Sequence, residues 1–360
     1  MTKPITQVAT TDISDMMNPG PERRMDLPGF AEEFVDFPHY IIRITELIWH
    51  DRQIDRIHDW YAPDCAIHTL AGDIAGAQTV VDNTWATLEA FPDRRLDGDN
   101  VIWSDDGGGR FYSSHLITSK MTNEGASEFG PATGRKVRVQ TIAECLCKDN
   151  QVIEEWLVRD NLAIAEQLGL DGDEIAQRQA EADRKKGFSL IDFHAAYRQR
   201  VASGESLAAD AGSATAIAIA ALEAIWNSRD WEAVKNLYDF RVDATCPGAA
   251  RLYGPDQIED WFAPLHAGLS DTQIAIEHVA EIPYLGEARD VAIRWSVAGT
   301  HSGDGRYGPA TGAPVYILGV SHFRVMNGRI REEVTIWDDI ALRRQVETAR
   351  LSARVRHEPA

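Results

Sequence analysis

The sequence predicts an α+β chain in which one domain pattern occurs twice. The pentapeptide Gly-Pro-Ala-Thr-Gly stands at Gly130–Gly134 and again, 178 residues later, at Gly308–Gly312. Its surroundings repeat at nearly the same offset. Glu46-Leu-Ile-Trp49 answers Glu223-Ala-Ile-Trp226, Tyr61 answers Tyr238, Gly76 answers Gly254, Val152–Trp156 answers Ile330–Val334, and Asp160 answers Asp338. Self-similarity at about half the chain length marks a duplicated domain rather than a solenoid, and each copy is long enough to bury its own core. Within each copy, helical patterns come first and long strand-like segments follow. Helices segregated from an antiparallel sheet make an α+β domain.

Residues 1–37 are polar and broken by Asn18-Pro-Gly-Pro21 and Leu27-Pro-Gly29, which predicts an extended arm, packed on the other domain if it packs at all. Ile41, Ile44, Leu47 and Ile48 recur at helical spacing from about Pro38, and Ile54, Ile57, Trp60 and Tyr61 predict a second helix that Pro63 ends. Cys65–Thr69 reads as a short strand. A third helix follows Gly76 through Val80, Val81, Thr84, Trp85 and Leu88 up to Pro92. The strands come next: Asp99–Trp103, the Gly107–Gly109 turn, Arg110–Thr122, Lys136–Cys147, the Asp149-Asn150 turn and Gln151–Arg159. Asn161–Leu168 returns to helical spacing and stops at Gly169. Glu174–Lys186 and Phe188–Val201 read as a helical connector. The organisation expected is an arm at 1–37, a domain at 38–170, a connector at 171–212, a second domain at 213–347 and a basic, polar tail at 348–360.

A hydrophobic fraction of 44% and a charged fraction of 26% are ordinary for a soluble globular chain. The net charge of −20 argues against a nucleic-acid binder, which needs clustered Lys and Arg, and counts weakly against docking on anionic lipid. Cys65, Cys145, Cys147 and Cys246 read as reduced thiols of a cytosolic protein, because no further ligands accompany the Cys145-Leu-Cys147 pair. No apolar run is long enough for a membrane span, and Met1–Thr6 lacks the apolar stretch of a secretion signal. A cytoplasmic location is expected. Metal binding is not: there is no H-x-H or H-x-x-x-H pair, and Gly107–Gly109 joins two strands rather than cradling a phosphate.

At the last strand the chain reads Asp149-Asn-Gln-Val-Ile-Glu-Glu-Trp-Leu-Val-Arg-Asp-Asn161, followed by Ala165-Glu-Gln-Leu-Gly169. With Pro131–Arg135 and Tyr61-Ala-Pro-Asp64 before His68, this resembles the SnoaL-like polyketide cyclase family of the nuclear transport factor 2-like superfamily. The second copy fits more loosely, since Val334 replaces the Trp and no Gln-Leu-Gly follows. The resemblance implies two cone-shaped domains, each a curved antiparallel sheet around N-terminal helices with a pocket between them. It also implies cofactor-independent chemistry on a small-molecule substrate. Single-domain relatives pair through their sheets, so a tandem chain is expected to form an internal pseudo-dimer, with further homo-oligomers left open.

The resemblance places the family's acid/base Asp at or near Asp160, and period two puts Glu154, Trp156, Val158 and Asp160 on one face. The alternative role for Asp160 is a cap on the helix that follows. His68 and His115 are the candidate imidazoles, each weighed against a hydrogen-bonded core histidine. Trp49, Tyr61, Trp85 and Trp156 are candidate substrate contacts, and His322 and Asp338 are the second-domain candidates, with a cap the stronger reading of Asp338. The expected function is a cyclase, dehydratase or isomerase that removes a proton beside a carbonyl. The rivals are a hydrolase on the same fold, a ligand-binding protein without chemistry, and an assembly subunit with filled pockets.

Overall fold

The computed structural model describes residues 13–357. The first twelve residues of the expected arm, with the secretion-signal reading of Met1–Thr6, and the last three residues of the tail lie outside the described residues. The chain divides into two compact units, residues 1–69, 73–159 and 280–292 in one and residues 70–72, 160–279 and 293–360 in the other.

In the first unit, α1 (Ile13–Met17) and α2 (Phe37–Thr45) lead into a π-helical turn, Glu46–His50. A 3-10 turn (Ile54–Arg56) and α3 (Ile57–Trp60) follow, then β1 (Tyr61–His68), β2 (Ile74–Ala75), α4 (Ala77–Ala90) and four long strands. These are β3 (Arg95–Gly107), β4 (Arg110–Thr122), β5 (Lys136–Lys148) and β6 (Gln151–Arg159). The α2 helix starts where expected because the Asp36 carboxylate accepts from His39 N at 2.8 Å and Pro38 occupies its first turn. The helix expected to run through Tyr61 stops at Trp60; Tyr61 is already extended and opens β1.

The sheet order is β2-β1-β6-β5-β4-β3. It is antiparallel except for β1 and β6, which run parallel with Ile67 opposite Glu155 and His68 opposite Trp156. Between β5 and β6 the register slips by one residue: Cys147 pairs with Val152 but Leu146 with Glu154, so Ile153 is a bulge. After the bulge, Glu155, Leu157 and Arg159 face the helices, and Glu154, Trp156 and Val158 face the other way.

The arm packs into the core of its own unit. Phe30 and Phe34 each stand edge-on to Tyr40 with centroids 4.9 Å apart, and Phe37 lies 5.3 Å from Phe111. Five aromatic rings buried together outweigh the polar composition of the segment around them.

The second unit begins with α5 (Asn161–Leu168), capped at its end by Gly169 in the left-handed region. The connector is helical throughout, as α6 (Gly172–Lys186), α7 (Leu190–Phe193) and α8 (Ala195–Ala202). The repeat follows: α9 (Ala214–Glu223), a second π-helical turn (Ala224–Ser228), α10 (Trp231–Leu237), β7 (Tyr238–Cys246), β8 (Ala250–Tyr253) and α11 (Pro255–Gly268). Its long strands are β9 (Leu269–Pro283), β10 (Arg289–His301), β11 (Ala313–Met326) and β12 (Arg329–Trp337), in the order β8-β7-β12-β11-β10-β9. The expected tail is instead ordered to residue 357: α12 (Asp339–His357) carries it, Leu351 is buried, and Arg344 forms a double ion pair with Asp183 of α6. Among the described residues no helix is long and apolar enough to cross a membrane.

Candidate functional site

The inner face of the first sheet and the helices over it enclose a cavity of about 130 Å³, counted as room for the centres of water molecules. Ile41, Ile44, Ile67, Ile117 and Leu157 make most of it apolar. Trp49 reaches it from the π-helical turn, its indole edge-on to Tyr61 at 6.5 Å. Polar groups enter at chosen points: Glu155 and Arg159 from β6, His115 and Ser119 from β4, Thr141 from β5 and Arg94 from the turn after α4.

Glu155 is 7% exposed, and burial pushes its carboxyl up to about 7, partly offset by the Tyr61 hydroxyl that donates to it. Burial likewise holds the Tyr61 hydroxyl well above its usual range. His115 is 3% exposed, and burial lowers its imidazole to about 4, so the ring is neutral at physiological pH. Among the described residues its Nε2 has no hydrogen-bond partner, nor do the hydroxyls of Ser119 and Thr141. Buried polar atoms without partners carry a cost that a ligand in the cavity would remove.

Of the residues expected from the sequence, His115, Trp49 and Tyr61 line this cavity together. Asp160 does not. It lies beyond the end of β6, 4% exposed, with its carboxylate accepting from Ala163 N at 3.0 Å, Gly248 N at 2.9 Å and Ala249 N at 2.8 Å. Those bonds cap α5 and hold the β7–β8 turn. Burial pushes its carboxyl up to about 6 although all three N–H groups pull it down. Replacing Asp160 by Ala is therefore expected to cost about 2–4 kcal/mol of stability through the lost cap and the stranded donors, read as a lower denaturation midpoint.

His68 is also outside the cavity, on the opposite face of β1 from Ile67. It joins Glu154 (3.0 Å) and Asp73 (3.2 Å) and stacks on Trp156 at 5.4 Å. The Asp73 hydrogen bond is the main reason its imidazole is raised. Trp156 shares that outer face, and Trp85 is 48% exposed on α4. Neither is a cavity contact. In the second unit Asp338 caps α12 through Ala341 N at 3.1 Å and accepts from Asn161 at 2.6 Å, while His322 is buried on β11.

The repeat makes the contrast between the units legible. In the first, Ile117, Thr141 and Arg159 lie side by side across β4, β5 and β6 and face the cavity. At the offset of 178 residues their counterparts are Trp295, Gly319 and Trp337. Trp295 fits only because Gly319 has no side chain: a Cβ there would come within 2.3 Å of the indole. Trp226, Trp295 and Trp337 pack with centroids 5.5–6.0 Å apart, so the interior of the second unit is filled where the first is open. The buried acid survives in both. Glu333 accepts from Tyr238 at 2.8 Å and from Thr335, whereas Leu157 replaces that threonine beside Glu155. Among the described residues, Glu155 is thus left with the Tyr61 hydroxyl and an open side.

Sequence reasoning did not pick out Glu155, Arg94 or Arg159. The signal for Glu155 was the co-repetition of Tyr61 with Tyr238 and of Glu155 with Glu333, which marks a buried pair.

No curated protein matches the chain. Solved structures similar to part of it include AclR, a proposed hydroxylase from Streptomyces galilaeus (21% identity over 37% of this chain and 83% of that one, TM-score 0.33). IdmH, a proposed polyketide cyclase from Streptomyces antibioticus, is 19% identical over 38% of this chain and all of that one, with a TM-score of 0.33. A proposed SnoaL-like cyclase from Shewanella putrefaciens is 18% identical over 42% and 92%, also with a TM-score of 0.33. The family model of the SnoaL-like polyketide cyclases matches twice, over residues 39–168 and 216–346. With both halves of the chain matched and both built as a six-stranded sheet with helices, the protein belongs to the SnoaL-like polyketide cyclase family as a tandem duplication.

Proposed function

We propose that the first unit is a cofactor-independent acid/base enzyme, of cyclase, dehydratase or isomerase type, acting on a small hydrophobic or aromatic carbonyl compound. The observation that supports this reading most is Glu155, a carboxyl group lifted to about 7 inside a largely apolar cavity. A carboxylate with that affinity for protons suits the removal of a hydrogen beside a carbonyl near neutral pH. The C–H bond breaks, the proton passes to Glu155, and the electron pair moves onto the carbonyl oxygen. A neutral His115 with its proton on Nε2 then donates to the developing oxyanion without first losing a charge. Trp49 and the isoleucines hold the flat part of the substrate and keep water out. Glu155 takes the role of base expected of Asp160, because three backbone N–H groups already occupy the Asp160 carboxylate.

The pH dependence follows. Turnover of a reactive carbonyl compound is expected to rise with pH through about 7, as Glu155 loses its proton, and to show no inflection from His115, whose titration near 4 lies below the working range. A rate flat from pH 5 to 9, measured at saturating substrate, would remove Glu155 from the role of base.

A second reading is a ligand-binding protein without chemistry. The cap role of Asp160 favours it, since the family's expected acid is absent from the cavity. Binding without exchange of the hydrogens beside the carbonyl identifies that case.

A further inference from the structure

The whole chain carries a net charge of −20, yet one end of the first cavity gathers two guanidinium groups. Arg94 stands in the turn between α4 and β3, and Arg159 is the last residue of β6; both line the cavity. Among the described residues Arg94 has no side-chain hydrogen bond or ion pair, and the acids near it in sequence are engaged elsewhere. Asp93 accepts from Thr122 through both the backbone and the hydroxyl, Asp97 pairs with Lys120, and Asp99 accepts from Thr118. Among the described residues Arg159 has one ion-pair partner, Glu128, at 3.8 Å and more than half exposed. An exposed ion pair of that length offsets little charge. Burial and the nearby Arg159 together lower Arg94 to about 9, the mark of a cation held without a counter-ion.

Beside the guanidinium groups are the two hydroxyls without partners, Ser119 and Thr141, with Thr141 directly opposite Arg159 in the β5–β6 register. Two guanidinium groups and two hydroxyls able to donate therefore face one end of the space, and among the described residues the one carboxylate in the lining is Glu155. Glu155 enters four residues earlier on the same strand, about 13 Å away along the backbone. Side chains reaching inward from both positions leave room between them for a ligand a few carbon atoms long. The second unit has lost this arrangement, with Trp337 in the place of Arg159.

We infer that the ligand of the first cavity carries a carboxylate, which Arg94 and Arg159 hold together with Ser119 and Thr141 while the reacting carbon lies toward Glu155. Two guanidinium forks suit a planar carboxylate, which accepts paired N–H bonds. The inference rests on the proposed function only for the second half of that statement. Binding of the acid end requires no reaction.

Benzoylpropionate, a keto acid with one aromatic ring, and its methyl ester make the test, with titration calorimetry on the full-length protein. The acid is expected to bind at least ten times more tightly than the ester. Arg94→Met should abolish that preference and Arg94→Lys should restore part of it. Because Arg94→Met removes an unpaired buried charge, it should also raise the melting temperature, so loss of binding will not be mistaken for loss of fold. Equal affinity for acid and ester, an unchanged preference in Arg94→Met, or no binding of the acid at millimolar concentration would overturn the inference. Exchange of the hydrogens beside the ketone, followed in deuterated solvent on the same complex, reports separately on the proposed function. Tight binding of the acid without exchange retains the carboxylate site and rejects the chemistry; exchange with equal acid and ester affinity does the reverse.

Discussion

Glu155→Gln is expected to lower turnover by about 10²- to 10⁴-fold, the range that a positioned general base contributes. Glutamine has nearly the shape of glutamate, and its carbonyl oxygen can still accept the Tyr61 hydroxyl, so the cavity should persist. What disappears is the site that takes the proton. The change should also alter the dependence of stability on pH, with a sign that follows from the raised carboxyl. Glu155 titrates near 7 in the folded chain and near its ordinary value of 4.5 when unfolded. The folded state therefore holds this proton more tightly. The stability this supplies is complete below about 4.5 and is lost as pH rises through about 7. At pH 9 the Gln variant, which has no charge to bury, should melt higher than the wild-type protein. Equal turnover by the two proteins, or a wild-type melting temperature that gains on the variant as pH rises, would contradict the assignment.

The second large effect comes from moving the filling of one unit into the other. Ile117→Trp combined with Thr141→Gly gives the first unit the pair that occupies the matching positions of the second, Trp295 and Gly319. The double variant is expected to fold, to lose ligand binding by more than about 100-fold, and to keep or raise its melting temperature, since a cavity is replaced by packed atoms. Ile117→Trp alone has no glycine to receive the indole and should cost about 1–3 kcal/mol through overpacking. Calorimetry with benzoylpropionate and thermal melts distinguish these outcomes. Retained ligand affinity in a folded double variant would place the binding site outside the cavity.

Much of the fold was legible in the sequence because its signals are local. The strand Gln151–Arg159, the strand Arg110–Thr122 and the helix Asn161–Leu168 are bounded by turn residues and a left-handed glycine, and their limits are as expected from those residues. The duplication was legible from repeated peptides. The arm was harder: its prolines and glycines announce a break in regular structure, but nothing in the segment says that Phe30 and Phe34 will meet Tyr40, because that depends on where the chain returns. The tail was misread for a related reason: Leu351 is buried on α12, a helix that Arg344 ties to Asp183, 161 residues away in sequence.

In the site, period two was the right rule on β4, where His115, Ile117 and Ser119 face the cavity. On β6 the same rule grouped Glu154, Trp156 and Val158 correctly, since the bulge at Ile153 precedes them all. The face was wrong: the resemblance at Asp160 turned that set inward, whereas Glu155, Leu157 and Arg159 are the residues that line the cavity. His68 was placed in the pocket by the resemblance; in the structure β1 runs parallel to β6, and His68 pairs with Trp156 on the outer face. The role of Asp160 depended on whether its carboxylate found backbone donors first, and two of the three come from a turn 88 and 89 residues away.

The most direct measurement follows hydrogen exchange beside the ketone of benzoylpropionate in deuterated solvent, with wild-type protein, Glu155→Gln and Asp160→Asn compared at pH 8. Exchange promoted by the wild-type protein, retained in Asp160→Asn and abolished in Glu155→Gln, is the expected result. Exchange that survives in Glu155→Gln and vanishes in a folded Asp160→Asn would return the proton to the helix cap and contradict the assignment of the base to the cavity.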